Sequence, residues 1–215
     1  MTGHTRQRHN GQQSTQNGKG KTANANLILA SSSPRRRSLL DQAGLTFTVV
    51  SSSLDETSVN TLSPKDRVRL LAEAKAQEVA RRYPGSWVIG ADTIVVIGGT
   101  VLGKPGTPAQ ARYMLERLSG KTHKVLTAYC ICCEVANRHF SETVETKVRF
   151  KTLTSTEIDW YINTGEPFDK AGGYGAQGLG AFLIRRLEGS YTNVVGLPVC
   201  EVIDNLVKEG VVQRL

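Results

Sequence analysis

The sequence predicts an α/β fold with a mixed, twisted sheet and flanking helices, and three observations carry that reading. The apolar run Leu27-Ile28-Leu29 passes directly into a helix opened by Ser33-Pro34, a buried strand turning into a helix. Trp87 to Ile97 is nearly all apolar, as a central strand covered on both faces must be. Lys124–Val135 and Thr143–Phe150 read as a long strand pair, so the sheet is not a strictly alternating parallel one.

The remaining elements follow from punctuation and period. Ser33 is a good N-cap, Pro34 suits the first helical position, Leu39, Leu40 and Ala43 form the apolar stripe, and Gly44 is the stop. Phe47 to Val50 is a further strand. Ser63-Pro64 opens a helix running to about Arg82, ended by Pro84-Gly85. Gly98-Gly99 turns the central strand into a short strand from Thr100 to Leu102, a hairpin signature. Pro108 starts a helix that ends near Gly120. Val144, Val148 and Phe150 alternate with Glu145, Lys147 and Arg149, so one face of that strand is wet. Thr154 with Glu157 forms a capping box for a helix stopping at Gly165. Ala171 to Gly180 is a Gly-rich loop, Ala181 to Leu187 a strand, and Pro198 to Glu209 the last helix. There is no internal repeat.

A chain of 215 residues with 39% hydrophobic content can bury a core as one domain or two closely joined lobes. No apolar run approaches the roughly 18 residues of a membrane span, and the N-terminus lacks the apolar core of a signal peptide. The expected location is cytoplasmic. Residues 1–26 are polar, contain no acid and read as a disordered basic tail ahead of a domain over 27–215. Arg6, Arg8, Lys19 and Lys21 of that tail supply four of the eight net positive charges, so the basicity is weak evidence for nucleic acid. Cys130 and Cys133 form a C-x-x-C, but residues three apart on a strand point to opposite faces and cannot share a metal. With Cys132 and Cys200 they read as buried free thiols in a reducing compartment.

The first helix carries the chemistry. Arg35, Arg36 and Arg37 occupy its first turn, where the positive end of the helix dipole disfavours cations by about a few tenths of a kcal/mol each. An anion removes the conflict, because backbone N–H groups and guanidinium forks can converge on phosphate oxygens. Arg37 can pair with Asp41 four residues on, at the surface. Arg36 shares the face of Leu39, Leu40 and Ala43, and Arg35 borders it. Two other nucleotide motifs fail on context. Gly98 to Lys104 fits G-x-x-x-x-G-K, but Pro105 stands where Ser or Thr is needed. Gly173 to Gly178 fits G-x-G-x-x-G, but it precedes a strand and follows none.

Polar residues in apolar settings mark the rest of a site. Asp92 interrupts the central strand, and a carboxylate there must be paired, metal-bound or protonated. Lys75 lies on the stripe of Val68, Leu71, Ala72 and Val79, so it either snorkels or answers a charge across a cleft. Asp55-Glu56 follows the strand ending at Val50 and supplies a second carboxylate. Lys104 follows the tight turn. There is no Ser-His-Asp or Cys-His set, and His123 and His139 lack acidic neighbours. Two acids with several cations suit metal-assisted attack on a phosphate.

The segments Ala30-Ser-Ser-Ser-Pro-Arg-Arg36, Leu71-Ala-Glu-Ala-Lys75-Ala, Gly90-Ala-Asp-Thr-Ile-Val-Val96, Gly103-Lys-Pro, Leu118-Ser-Gly-Lys-Thr-His123, Asp169-Lys-Ala-Gly-Gly-Tyr-Gly-Ala-Gln-Gly178 and Gly189-Ser-Tyr-Thr-Asn-Val-Val-Gly-Leu-Pro198 resemble the Maf family, in order, over about residues 27–207. Those are nucleoside triphosphate pyrophosphatases related in fold to the inosine triphosphate pyrophosphatases. The resemblance implies two lobes around a central cleft. It implies that Ser31, Arg35 and Arg36 hold phosphates beside Lys75 and Lys104, and that Asp92 accepts a proton from the attacking water. Glu56 would share Mg²⁺ or Mn²⁺ with Asp92. Arg35, Thr93 and Gln177 match the marks of the branch resembling dTTP/UTP pyrophosphatases. Ser32, where Gly is common, and Gly173, for a frequent Ala, depart from the family without touching an implied contact. The implied partners are a small-molecule nucleotide and a second copy of the chain, with no membrane and no specific nucleic acid. The rival readings are a pyrophosphatase for modified purines such as 7-methyl-GTP and a nucleic-acid-binding division regulator.

Overall fold

The computed structural model describes residues 26–56 and 63–213 together with Met1; the tail expected over 1–26 otherwise lies outside the described residues. The strands are β1 (Leu27–Leu29), β2 (Thr48–Val49), β3 (Trp87–Ile97), β4 (Thr100–Leu102), β5 (Thr122–Cys133), β6 (Arg138–Phe150) and β7 (Ile184–Glu188). The α-helices are α1 (Pro34–Gln42), α2 (Pro64–Arg82), α3 (Pro108–Leu118), α4 (Ser155–Asn163), α5 (Tyr191–Val195) and α6 (Val199–Lys208). No helix among the described residues is long and apolar enough to cross a membrane.

One mixed sheet runs in the order β2-β1-β3-β5-β6-β7, with β4 also pairing β3. β1 is parallel to both β2 and β3, and every other pairing is antiparallel. β3 is apolar apart from Asp92 and Thr93, because both of its faces are covered. Ile89 and Ala91 pack with Leu39, Leu40, Val202 and Leu206 from α1 and α6. Val88 packs with Ala76, Val79 and Ala80 of α2 on the opposite face. A separate cluster around Leu115, Phe150, Tyr161 and Leu183 fills the other end of the sheet.

The β3 edges decide where a site forms. β5 covers Val88 through Val96 along one edge. On the other edge β1 stops at the Leu29–Ile89 pair, and β4 begins only at Val95. Residues 90–94 therefore face a gap in the sheet. Alternation along the strand sends Asp92 to the α2 face and its neighbour Thr93 to the α1 face.

Several boundaries differ from expectation. β6 starts at Arg138 rather than Thr143, because Asn137 takes a left-handed turn conformation (φ 49°) that starts the return strand early. The strand expected from Ala181 begins at Ile184, since a 3-10 turn over Gly178–Leu183 uses the preceding backbone N–H groups elsewhere. α5 was not anticipated; at five residues it shows only in Ser190, whose hydroxyl accepts from Asn193 N at 3.2 Å, and in Gly196 behind it. Ser33 precedes α1 but makes no side-chain cap bond. Cys130, Cys132 and Cys133 are buried free thiols, whereas Cys200 is exposed, because α6 turns Val202 and Leu206 inward instead.

Gly90 sets how close α2 lies to the sheet. A Cβ there would stand 2.4 Å from Ala72 O and 2.6 Å from Ala76 N, both rigid backbone atoms. Gly90→Ala should therefore cost roughly 3 kcal/mol of stability, read from the urea midpoint. A midpoint equal to wild type would show that α2 is free to retreat from β3.

Candidate active site

A cleft of about 560 Å³ opens over the gap beside β3, and all nine expected site residues line it. Its polar floor is a three-member ion group. Lys75 Nζ lies 2.8 Å from Asp92 Oδ1 and 2.7 Å from Glu56 Oε1. Lys75 and Asp92 side chains are only 12% and 13% exposed, so this cation answers an internal carboxylate rather than reaching solvent. The close contact at Gly90 brings α2, and Lys75 between Ala72 and Ala76, near enough to do so. Burial pushes the Glu56 carboxyl up, but the Lys75 hydrogen bond and the charges of Lys75, Lys104 and Arg36 outweigh it and hold it below the usual range.

The opposite wall is the start of α1. Arg36 Nε donates to Gly196 O (2.8 Å), Nη1 to Ser31 Oγ (3.1 Å) and Nη2 to Thr93 Oγ1 (3.1 Å). A guanidinium has five N–H donors, so two remain for a ligand. Burial lowers the Arg36 pKa and Asp92 opposes that shift. Ser31 Oγ also accepts from Ser33 N at 3.2 Å. With both acceptor positions used, the Ser31 hydroxyl hydrogen is left to donate. The first turn of α1 has no acid and no side-chain cap, and Arg37 N is the first backbone donor to reach back, to Ser33 O. The N–H groups of Arg35 and Arg36 thus stay open to an anion. Arg37 turns outward and pairs with Asp41 at 3.7 Å, as its spacing predicts.

Some contributors carried no assigned role from the sequence. Asp169 takes Arg35 Nη1 at 2.6 Å, joining the two banks of the cleft. Thr127 Oγ1 lies 3.0 Å from Thr93 Oγ1 and donates to Asn193 O at 2.9 Å. Asn193 Nδ2 donates to Val125 O and Thr146 Oγ1, fastening α5 to the sheet and with it the Gly196 carbonyl that aims Arg36. Thr127 and Asn193 are fully buried. The signal that singles out Asp92, a polar residue inside an apolar run, was present at Thr127 too. Lys104 is an exposed cation at the rim, and Gln177 lines the cleft from the Gly-rich segment.

Residues 26–209 match the family described as Maf-like protein. The chain belongs to the Maf family. Among Maf relatives, a dTTP/UTP pyrophosphatase from Syntrophus aciditrophicus (strain SB) is 49% identical over 86% of this chain and 90% of that protein. Another dTTP/UTP pyrophosphatase, from Halalkalibacterium halodurans, is 50% identical over 86% of this chain and 96% of its own length. Among solved structures, a nucleoside-triphosphatase / dITP/XTP pyrophosphatase from Mycobacterium abscessus aligns over 86% of this chain and 95% of its own. Its TM-score is 0.42 at 15% identity, too loose an overlap to bear on this Maf site.

The ion group makes a pH-dependent prediction. A carboxyl held low in the folded state adds stability above its unfolded pKa and loses it as pH falls through the folded value. Wild-type Tm should thus fall as pH drops through the carboxylate range. In Lys75→Met the shared cation is gone and two carboxylates face each other, so the variant should lose most, relative to wild type, near pH ~7. The gap should narrow near pH ~4, where carboxyls begin to protonate. Thermal unfolding across that range checks this; an equal gap at both ends contradicts it.

Proposed function

We propose that this chain hydrolyses nucleoside triphosphates, dTTP and UTP foremost, to the monophosphate and pyrophosphate. Kinship supports the reaction class: by family, and by about half-identity to relatives that bear that name, the chain is a nucleoside triphosphate pyrophosphatase. One observation carries the mechanism. The same open stretch of β3 sets Asp92 in one cleft with the phosphate-seeking donors of Ser31, Arg35 and Arg36. A protein that only bound nucleic acid would gain nothing from an acid buried beside its phosphates.

The second oxygens of Asp92 and Glu56 have no hydrogen-bond partner among the described residues, and no cluster of three or more His, Cys, Asp or Glu able to hold a metal occurs there. Two hard oxygen donors, completed by substrate phosphates and water, fit Mg²⁺ or Mn²⁺, which rarely occupies an all-protein cage. Asp92 and Glu56 would hold that ion; when bound, it supplies neutralisation of the phosphate charge. The chain's own residues do the rest. The open N–H groups at the start of α1, the two spare donors of Arg36 and the Ser31 hydroxyl grip the triphosphate. Asp92, oriented by Lys75, takes a proton from water as its oxygen attacks the α-phosphorus. The α–β bridging oxygen leaves with pyrophosphate, whose charge Arg35, Lys75 and Lys104 balance. The proposed enzyme acts in the cytoplasm on a free nucleotide.

Base choice falls to Gln177, whose amide offers both a donor and an acceptor to the O4/N3–H edge of thymine or uracil. A half-turn of the amide also suits cytosine, so rejection of CTP is partial, and purines are excluded by size.

Pyrophosphate release from a nucleotide panel with Mg²⁺ or Mn²⁺ tests this reading. dTTP and UTP should lead, CTP trail, and ATP and GTP be poor. Asp92→Asn should keep the fold and lose about 10²–10⁴-fold in turnover. Methylated GTP in the lead would overturn the base assignment, and Asp92→Asn within a few-fold of wild type would overturn the mechanism.

A further inference from the structure

The segment that bears Gln177 is Gly175-Ala176-Gln177-Gly178-Leu179-Gly180, and half of it is glycine. Such a chain loses much conformational freedom when ordered. A hydrogen-bonding side chain on a loose segment discriminates poorly, because it can follow the wrong base. Something must hold the segment, and the Gln177 side chain itself makes no hydrogen bond among the described residues.

The holder is one carboxylate outside the cleft. Glu166 Oε2 accepts from Leu179 N at 2.9 Å, and Oε1 accepts from Gly180 N at 2.9 Å. Tyr161 OH donates to Glu166 Oε1 at 3.0 Å and accepts from Gly175 N at 3.2 Å. One side chain therefore fixes the near end of the segment through a buried tyrosine and the far end directly. The room for it is built in. A Cβ on Gly178 would come within 2.9 Å of Glu166 Oε2, and one on Gly180 within 2.6 Å of Tyr161 OH. These are charge-assisted bonds to backbone N–H groups, stronger than their neutral counterparts. Glu166 O also accepts from Lys170 Nζ at 2.7 Å, and Lys170 in turn meets Asp169, the partner of Arg35.

We propose that Glu166, which does not line the cleft, is a positioning residue that sets base selectivity by fastening the segment bearing Gln177. The inference rests on the pyrophosphatase reading for its substrate, but the fastening itself does not. Glu166→Gln keeps the shape and replaces one acceptor with an NH₂ group, so at least one of the held N–H groups faces a donor. The effect belongs to discrimination rather than chemistry, since Glu166 touches neither the phosphates nor the Lys75 group.

The test pairs hydrogen–deuterium exchange over residues 174–183 with pyrophosphate release from dTTP, UTP and CTP, in the full chain. In Glu166→Gln, exchange across that segment should quicken by about tenfold. The ratio of kcat/KM for dTTP over CTP should fall by about tenfold, mainly through KM for dTTP, with kcat within about threefold. Unchanged exchange overturns the proposal. So does an unchanged ratio, whether activity is kept or lost equally on all three nucleotides. Should Glu166→Gln fail to fold, Tyr161→Phe cuts the relay to Gly175 without altering charge, and should move both readings in the same direction by about threefold. A wild-type chain inert on all three nucleotides would overturn the pyrophosphatase reading, while the exchange comparison still decides the fastening.

Discussion

Strand β3 has a continuous neighbour on only one side, and the site depends on that asymmetry. β1 leaves it at Ile89 and β4 joins it at Val95, so the residues between lie at the sheet's centre yet open onto a cleft. Backbone alternation then divides the work. Asp92 projects toward α2, where Lys75 meets it at 2.8 Å, and Thr93 projects toward α1, where Arg36 meets it at 3.1 Å. Two adjacent residues on one strand thus anchor the acid-bearing floor and the arginine-bearing wall. Their separation is set by the pleat rather than by loop geometry.

Charge balance follows from the same placement. The cleft gathers Arg35, Arg36, Lys75 and Lys104 among its cations, and of these four all but the rim lysine have a fixed partner among the described residues. Lys75 is shared by Asp92 and Glu56, Arg36 is tied to neutral oxygens, and Arg35 to Asp169. The hydroxyl and carbonyl partners of Arg36 orient it without cancelling its charge. Arg35 is different: a phosphate that takes it must compete with Asp169 on the facing bank.

Much of this was legible in the sequence, for definite reasons. A carboxylate inside an eleven-residue apolar strand, a lysine on an apolar helical stripe and arginines at a helix start each break a local rule, and such breaks cluster at functional sites. The helices that open with Ser-Pro or Thr-x-x-Glu were equally readable, since their caps are local. What escaped was non-local. Nothing near Glu166 in the chain says that its oxygens bind Leu179 and Gly180, and nothing near Gly196 says that its carbonyl aims Arg36 across 160 residues. The late start of β7 follows from the 3-10 turn over Gly178–Leu183, which runs past Ala181 before the strand can begin. The expected burial of Cys200 failed on a simpler point, the rotation of one amphipathic helix.

In the proposed mechanism the Lys75-held Asp92 directs water to the α-phosphorus, while the cations of the cleft release pyrophosphate. Hydrolysis of dTTP in ¹⁸O-labelled water, followed by mass spectrometry of both products, tests it directly. One ¹⁸O atom should appear in the nucleoside monophosphate and none in the pyrophosphate. Label in the pyrophosphate would mean that water attacks the β-phosphorus, and would contradict that mechanism.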